Sequence, residues 1–179
     1  DRSEVRLRHL AEAVGDQVTR ARLVPLGELL DDYPRLVRDL SQELNKTVIL
    51  TLDGQGLRVD RAVLDGIRAP LLHLVRNALD HGIEDQALRQ SMGKTPHGNL
   101  SIRAERHPGG VRVIVSDDGP GIDLDALEQR VVGRGHTTSG LWAAMSHDER
   151  LQFLFLPGLS TARQVSTTSG RGFGLDIVK

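Results

Sequence analysis

Apolar residues Leu7, Leu10, Val14, Val18 and Ala21 recur at three- and four-residue steps through residues 3–23, the period of one narrow helical seam. This spacing predicts a helix that Pro25 ends. A second helix is expected over 27–45, with Leu29, Leu30, Leu36, Val37, Leu40 and Leu44 on its inner side and a break near Tyr33 imposed by Pro34. The pattern then shortens and becomes β-branched over 47–52, and a second extended piece over 57–59 follows the Asp53-Gly54 turn signal. Asp60 is placed to cap a short helix to Ile67, and Pro70 suits the first turn of another that runs through Leu79 toward Ile83. After a polar loop over 90–99, alternating runs over 100–106 and 111–116 flank Pro108-Gly109-Gly110, a hairpin signal. Helices are expected over 123–132 and 146–154, with a Gly, Thr and Ser loop over 133–140 between them. Residues 157–169 read as a loop, and a last helix starts near Gly172. The order implies an α+β domain with helices packed on one face of a mixed sheet.

Composition narrows the chemistry. The 179 residues carry 23 Lys+Arg against 24 Asp+Glu, a formal charge of −1, so no global field favours nucleic acid or an anionic membrane. The absence of cysteine excludes disulfides, thiolate zinc sites and a cysteine nucleophile. No apolar run approaches the ~20 residues of a bilayer span, and the charged start is unlike a signal peptide. A cytoplasmic chain without membrane insertion is expected. Aromatic residues are only 3% of the chain, so the core must lean on Leu, Val, Ile and Ala.

One helix has an unusual polar face. With His73 at zero and about 100° per residue, Arg76, Asn77, Asp80, His81 and Glu84 share one arc of about 140°. Leu71, Leu72, Leu74, Val75, Ala78 and Leu79 fill the opposite side. An ordinary amphipathic surface helix would explain the wheel, yet His, Asn and Asp cost helix propensity where Glu, Lys or Ala would serve. An Asn carbonyl suits Mg²⁺, which takes oxygen ligands and arrives chelated by phosphates. Arg76 and His81 can donate to phosphate oxygens, and His73 precedes Asn77 by one i to i+4 step. The set asks for a metal triphosphate.

Two glycine clusters follow. Asp117-Asp118-Gly119-Pro120-Gly121 sits at the end of a predicted strand, where a carboxylate can accept from an exocyclic amine and glycines admit a flat heterocycle. It reads equally as a strand-ending turn. Gly170-Arg171-Gly172-Phe173-Gly174 opens a helix, whose free N–H groups favour phosphate. Gly93-Lys94-Thr95 looks like the end of a P-loop, but Leu88 occupies the place of its first glycine and no strand leads in. The last cluster also lacks the G-x-G-x-x-G spacing of a dinucleotide fold.

Together, Asn in a helix, D-x-G-x-G after a strand and G-x-G-x-G before a helix resemble the Bergerat ATP-binding fold shared by gyrase, MutL and histidine kinases. Residues 73–84 (HLVRNALDHGIE), 155–161 (FLPGLST) and 169–174 (SGRGFG) are similar to the ATP-binding domain of the CheA family of chemotaxis histidine kinases. The resemblance covers about residues 20–179. It implies a two-layer α/β sandwich with a mixed, mostly antiparallel sheet whose closing strands lie beyond Lys179. Residues 1–22 would be the helical tail of a dimerisation domain or a linker, and 23–179 the kinase domain, with a lid over about 122–169.

The resemblance also implies roles. Asn77 would bind the Mg²⁺ of ATP, Asp117 would accept the adenine amino group, and Gly119 and Gly121 would let the base lie close. Arg76, Asp80, His81 and Arg130 would line the nucleotide site, Gly170, Gly172 and Gly174 would wrap the phosphates, and Ser160 and Thr161 would belong to the lid. His73 stands where hydrolytic relatives carry glutamate and would orient the acceptor or the γ-phosphate. Ala126 replaces a lysine common in the family. The reaction implied is transfer of the γ-phosphoryl group to a histidine on a separate phosphoacceptor domain. A response regulator would act downstream, chemoreceptor and coupling-protein contacts would run through other domains, and the whole protein would be a homodimer. The alternatives are an ATP hydrolase of the same fold and a non-catalytic scaffold.

Overall fold

The computed structural model describes residues 22–156. Two short strands, β1 (Leu23–Pro25) and β3 (Arg58–Asp60), pair antiparallel as a ribbon of their own. The main sheet has the order β2 (Val48–Asp53), β4 (Gly98–His107), β5 (Gly110–Asp117). β4 and β5 form the expected hairpin, with Leu100 opposite Asp117 and His107 opposite Gly110. β2 lies parallel to β4, Val48 facing Gly98 and Asp53 facing Arg103. Parallel pairing needs a crossover, and residues 54–97 supply it with helices α3 (Arg61–Asn77) and α4 (Gln86–Ser91).

Alternation along β4 sends Leu100, Ile102 and Ala104 inward. Against them pack Leu29 and Leu30 of α1 (Gly27–Leu30), Tyr33 and Val37 of α2 (Tyr33–Glu43), and Leu64, Leu71 and Val75 of α3. The opposite face is polar, with Asp53, Arg103, Glu105 and Arg112 linked by exposed ion pairs of 3.6 to 3.9 Å. Helices therefore cover one face of a mixed sheet, as the pattern predicts.

A second, smaller cluster follows the sheet. Helices α5 (Leu124–Gly133), α6 (Ser139–Ala144) and α7 (His147–Gln152) bury Leu127, Val131 and Trp142. Trp142 packs on Phe153 at 5.7 Å between ring centroids, with the Arg150 guanidinium 5.5 Å from the Trp142 ring. The segment expected as a lid thus carries its own core over its described part.

Several expectations need correction. Residues 23–25 are a strand, because β3 offers them a partner, and not the end of a first helix. Pro70 does not begin a new helix: α3 runs through it unbroken from the Asp60 cap, whose carboxylate accepts from Ala62 N at 2.8 Å. An internal proline costs a helix about 3 kcal/mol. Burial of Leu64, Leu71 and Val75 along one stripe on both sides of Pro70 offsets that cost. Leu72, expected inside, is exposed because it lies a turn of about 100° from that stripe. Part of the polar stretch before β4 is α4, which the pattern did not show, and α6 begins inside the expected 133–140 loop under a Thr138 cap. The expected helix over 3–23, the loop over 157–169 and the last helix near Gly172 lie wholly or almost wholly outside the described residues.

Candidate functional site

The polar face of α3 ends in an irregular turn. Residues Ala78–Gly82 form a π-helical turn, closed by Ile83 N donating to Ala78 O at 2.7 Å. Such widened turns concentrate at functional positions. Here it presents Asp80 and His81 to solvent while Ala78, Leu79 and Ile83 stay in the core. Lys46 holds the turn from outside, its Nζ donating to Leu79 O at 2.6 Å and Asp80 O at 3.0 Å. Burial lowers the Lys46 pKa against the opposing pull of Asp80, Asp85 and Glu84.

His73 and Asn77 are half-buried neighbours, with Asn77 Nδ2 3.0 Å from His73 Nε2. With the amide donating, that contact leaves the Asn77 carbonyl oxygen free for a cation. Among the described residues no group of three or more His, Asp or Glu side chains could hold a metal ion unaided. A donor set of one amide oxygen with nearby exposed Asp80 suits an ion that brings most of its ligands as phosphate and water, which is the habit of Mg²⁺.

The loop after β5 closes on this turn. A Cβ on Gly119 would sit well inside van der Waals contact of the Gly82 carbonyl oxygen and 2.6 Å from the Gly82 carbonyl carbon. A Cβ on Gly82 would lie 2.9 Å from the Asp117 carboxyl carbon. Only two glycines allow this approach, so Asp117 stands against the end of the helix that carries Asn77. Asp117 is exposed, and its Oδ1 accepts from Gly119 N at 3.0 Å. Gly121, with φ of 80°, takes a left-handed conformation that lets the loop turn away.

Adjacent strand residues point to opposite sides, and the two aspartates have separate fates. Asp118 is saturated. Its Oδ1 accepts from Arg89 Nη1 at 2.9 Å and Asn99 N at 3.0 Å, and its Oδ2 from Arg89 Nη2 and Asn99 Nδ2, each at 2.8 Å. Arg89, with 1% of its surface exposed, also donates to Glu84 Oε2 at 2.9 Å and Thr95 O at 2.8 Å. Lys94 Nζ completes the set with Glu84 Oε1 at 2.6 Å and Asp118 O at 2.9 Å. The Lys94 hydrogen bond outweighs burial and lowers the Glu84 pKa. Burial works to raise Asp118, but hydrogen bonds from Arg89 and Asn99 hold it at about 2, down from 3.8.

A carboxylate depressed in this way stabilises the fold fully above its unfolded pKa, and the contribution is lost as pH falls through the folded value. Urea midpoints should therefore decline between about pH 4 and pH 2, and the decline should flatten in Asp118→Asn.

Of the residues singled out in the sequence, His73, Arg76, Asn77, Asp80 and His81 lie on α3 and its π turn, Asp117 ends β5, and Gly119 and Gly121 lie on the adjoining loop. Arg76 is exposed. Glu84 leaves the expected arc: after the π turn the chain extends at Ile83, and Glu84 is drawn into the ion-pair network. Arg130 is exposed on the last turn of α5, in the second cluster. Ser160, Thr161, Gly170, Gly172 and Gly174 lie outside the described residues. Sequence reasoning missed Lys46, Arg89, Lys94 and Asn99. The one available signal was the Gly93-Lys94-Thr95 fragment, which is no P-loop: Gly93, at φ of 72°, ends α4 and turns Lys94 toward Glu84.

Comparison with known proteins supplies the context. Residues 66–179 match the family described as histidine kinase-, DNA gyrase B- and HSP90-like ATPases. The chain is 42% identical over 162 residues to the chemotaxis protein CheA of Treponema pallidum, covering 90% of this chain and 20% of that protein. It is 42% identical over 169 residues to CheA of Klebsiella aerogenes, covering 94% of this chain and 26% of that protein. Thus it spans about a fifth to a quarter of these relatives. A solved histidine kinase domain, from the blue-light activated kinase of Erythrobacter litoralis, aligns over 58% of this chain and 46% of that one with a TM-score of 0.42 and 23% identity.

Proposed function

Since the chain belongs to the family of histidine kinase-, DNA gyrase B- and HSP90-like ATPases, we propose that it is the ATP-binding catalytic domain of a CheA-like histidine kinase. It transfers the γ-phosphoryl group of ATP to a histidine on a separate phosphoacceptor domain. The observation that carries this reading is the seating of Gly119 on Gly82, which sets the Asp117 carboxylate beside the turn that follows Asn77.

Asp117 accepts a hydrogen bond from the adenine amino group, with Gly119 and Gly121 leaving room for the ring. Asn77 offers its oxygen to the Mg²⁺ carried by the triphosphate, and Arg76, Asp80 and His81 face the phosphates. When bound, Mg²⁺ neutralises charge on the β- and γ-phosphates. Phosphoryl transfer is loose and depends on positioning more than on a strong base. His73, tied to Asn77 at 3.0 Å, orients the phosphate or the incoming histidine. A histidine at this position does not serve as the carboxylate base that hydrolysis of the same nucleotide uses. Arg130, Ser160 and Thr161 act from the lid, and Gly170, Gly172 and Gly174 wrap the phosphates. In the whole protein the phosphohistidine passes its phosphoryl group to a response regulator, within a homodimer coupled to receptors.

The test mixes the protein, Mg²⁺, γ-labelled ATP and a purified phosphoacceptor domain. The expected product is a phosphohistidine stable to base and lost in acid. Asp117→Asn, which places a donor opposite the adenine amine, should weaken ATP about tenfold or more. Label recovered only as free phosphate would overturn the kinase reading.

A further inference from the structure

Arg89 has no part in the chemistry above, yet it is among the most completely buried side chains of the fold at 1% exposure. Its guanidinium engages Thr95 O, Glu84 and both oxygens of Asp118. A buried ion pair is a weak source of stability, because desolvation consumes most of the attraction and a well-packed apolar side chain would serve as well. What a bidentate arginine does add is geometric definition of the carboxylate it grips.

We propose that Arg89 is a positioning residue for purine recognition, acting through Asp118 on Asp117. This rests on the reading of Asp117 as the acceptor for the adenine amine. Asp118 is one peptide from Asp117, and all its side-chain and carbonyl acceptors are engaged by Arg89, Asn99 and Lys94. That grip fixes the peptide between β5 and Gly119. The Gly119 amide in turn holds Asp117 Oδ1 at 3.0 Å, and the Gly119 backbone is seated on Gly82. A lysine at position 89 keeps the charge facing Glu84 but loses the fork, so Asp118 can rotate. The base-reading carboxylate then loses its fixed relation to Asn77, while the phosphate-binding residues of α3 keep theirs.

The experiment measures binding of ATP and of inosine triphosphate, which has an oxygen in place of the amino group, to the intact protein by calorimetry with Mg²⁺. Wild type should favour ATP by about tenfold or more. In Arg89→Lys the preference should shrink to about threefold or less, through weaker ATP binding with inosine triphosphate affinity little changed. Asp118→Asn, which leaves Glu84 paired with Arg89 and Lys94, should reproduce the effect and is read in its place if Arg89→Lys does not fold. A purely structural role would weaken both nucleotides alike and leave the preference intact, which overturns the proposal while the Asp117 reading stands. Equal affinity of wild type for the two nucleotides would overturn both.

Discussion

Replacing Gly119 with alanine should reduce ATP affinity by about a hundredfold, because it disturbs the proposed base and metal contacts together, each worth about 1.5 kcal/mol or more. The added methyl group would meet the carbonyl group of Gly82, with 2.6 Å to its carbon, and Asp117 Oδ1 at 2.8 Å. The first of these obstacles is backbone and cannot rotate aside. Either the π turn or the 117–121 segment must retreat, and both carry groups assigned to the nucleotide in the proposed site. Crowding of this kind costs the fold about 1–3 kcal/mol, so the variant should still fold and the loss of binding should exceed the loss of stability. Gly133→Ala, where a methyl group meets nothing within 4 Å, is the matched control and should bind ATP as wild type does. Calorimetric titration of the two variants checks the contrast.

The second large effect concerns stability. Glu84→Ala removes a carboxylate whose side chain is 4% exposed and which holds Arg89 at 2.9 Å and Lys94 at 2.6 Å. Arg89, 2% exposed at its side chain, is then a buried cation with Asp118 as its remaining ionic partner. Breaking one side of a buried pair costs about 3–5 kcal/mol, a large part of the stability of a domain. Urea unfolding should show that loss as a lower midpoint with an unchanged slope. A change below about 1 kcal/mol would mean that the network behaves like a surface pair.

What the sequence disclosed follows the range over which each signal acts. Period-two alternation in β4 and β5, the Asp60 cap and the helix beginning near Asp123 are local, and all appear where the pattern put them. The strand at 23–25 was hidden because its partner is β3, more than thirty residues away. Pro70 misled because a local penalty was outweighed by burial on both sides of it. The Asn77 face and the 117–121 loop were recognisable because each chemical group sits within a short motif. Glu84, Arg89, Lys94 and Asp118 form one network from two parts of the chain, residues 84–94 and the residue that follows β5. No single window contained it, and the wheel wrongly kept Glu84 on the polar face of α3 because it assumed an even helical pitch through the π turn.

The central claim is one pocket in which Asn77 and Asp117 address the same magnesium nucleotide. The most direct measurement is a nuclear magnetic resonance titration following the Asn77 side-chain amide and the Gly119 backbone amide as ATP is added. With Mg²⁺ both signals should move and saturate at one common ATP concentration, and without Mg²⁺ the Asn77 response should diminish while Gly119 still responds to the base. Either signal standing still at millimolar magnesium ATP, or the two saturating at different concentrations, would contradict it.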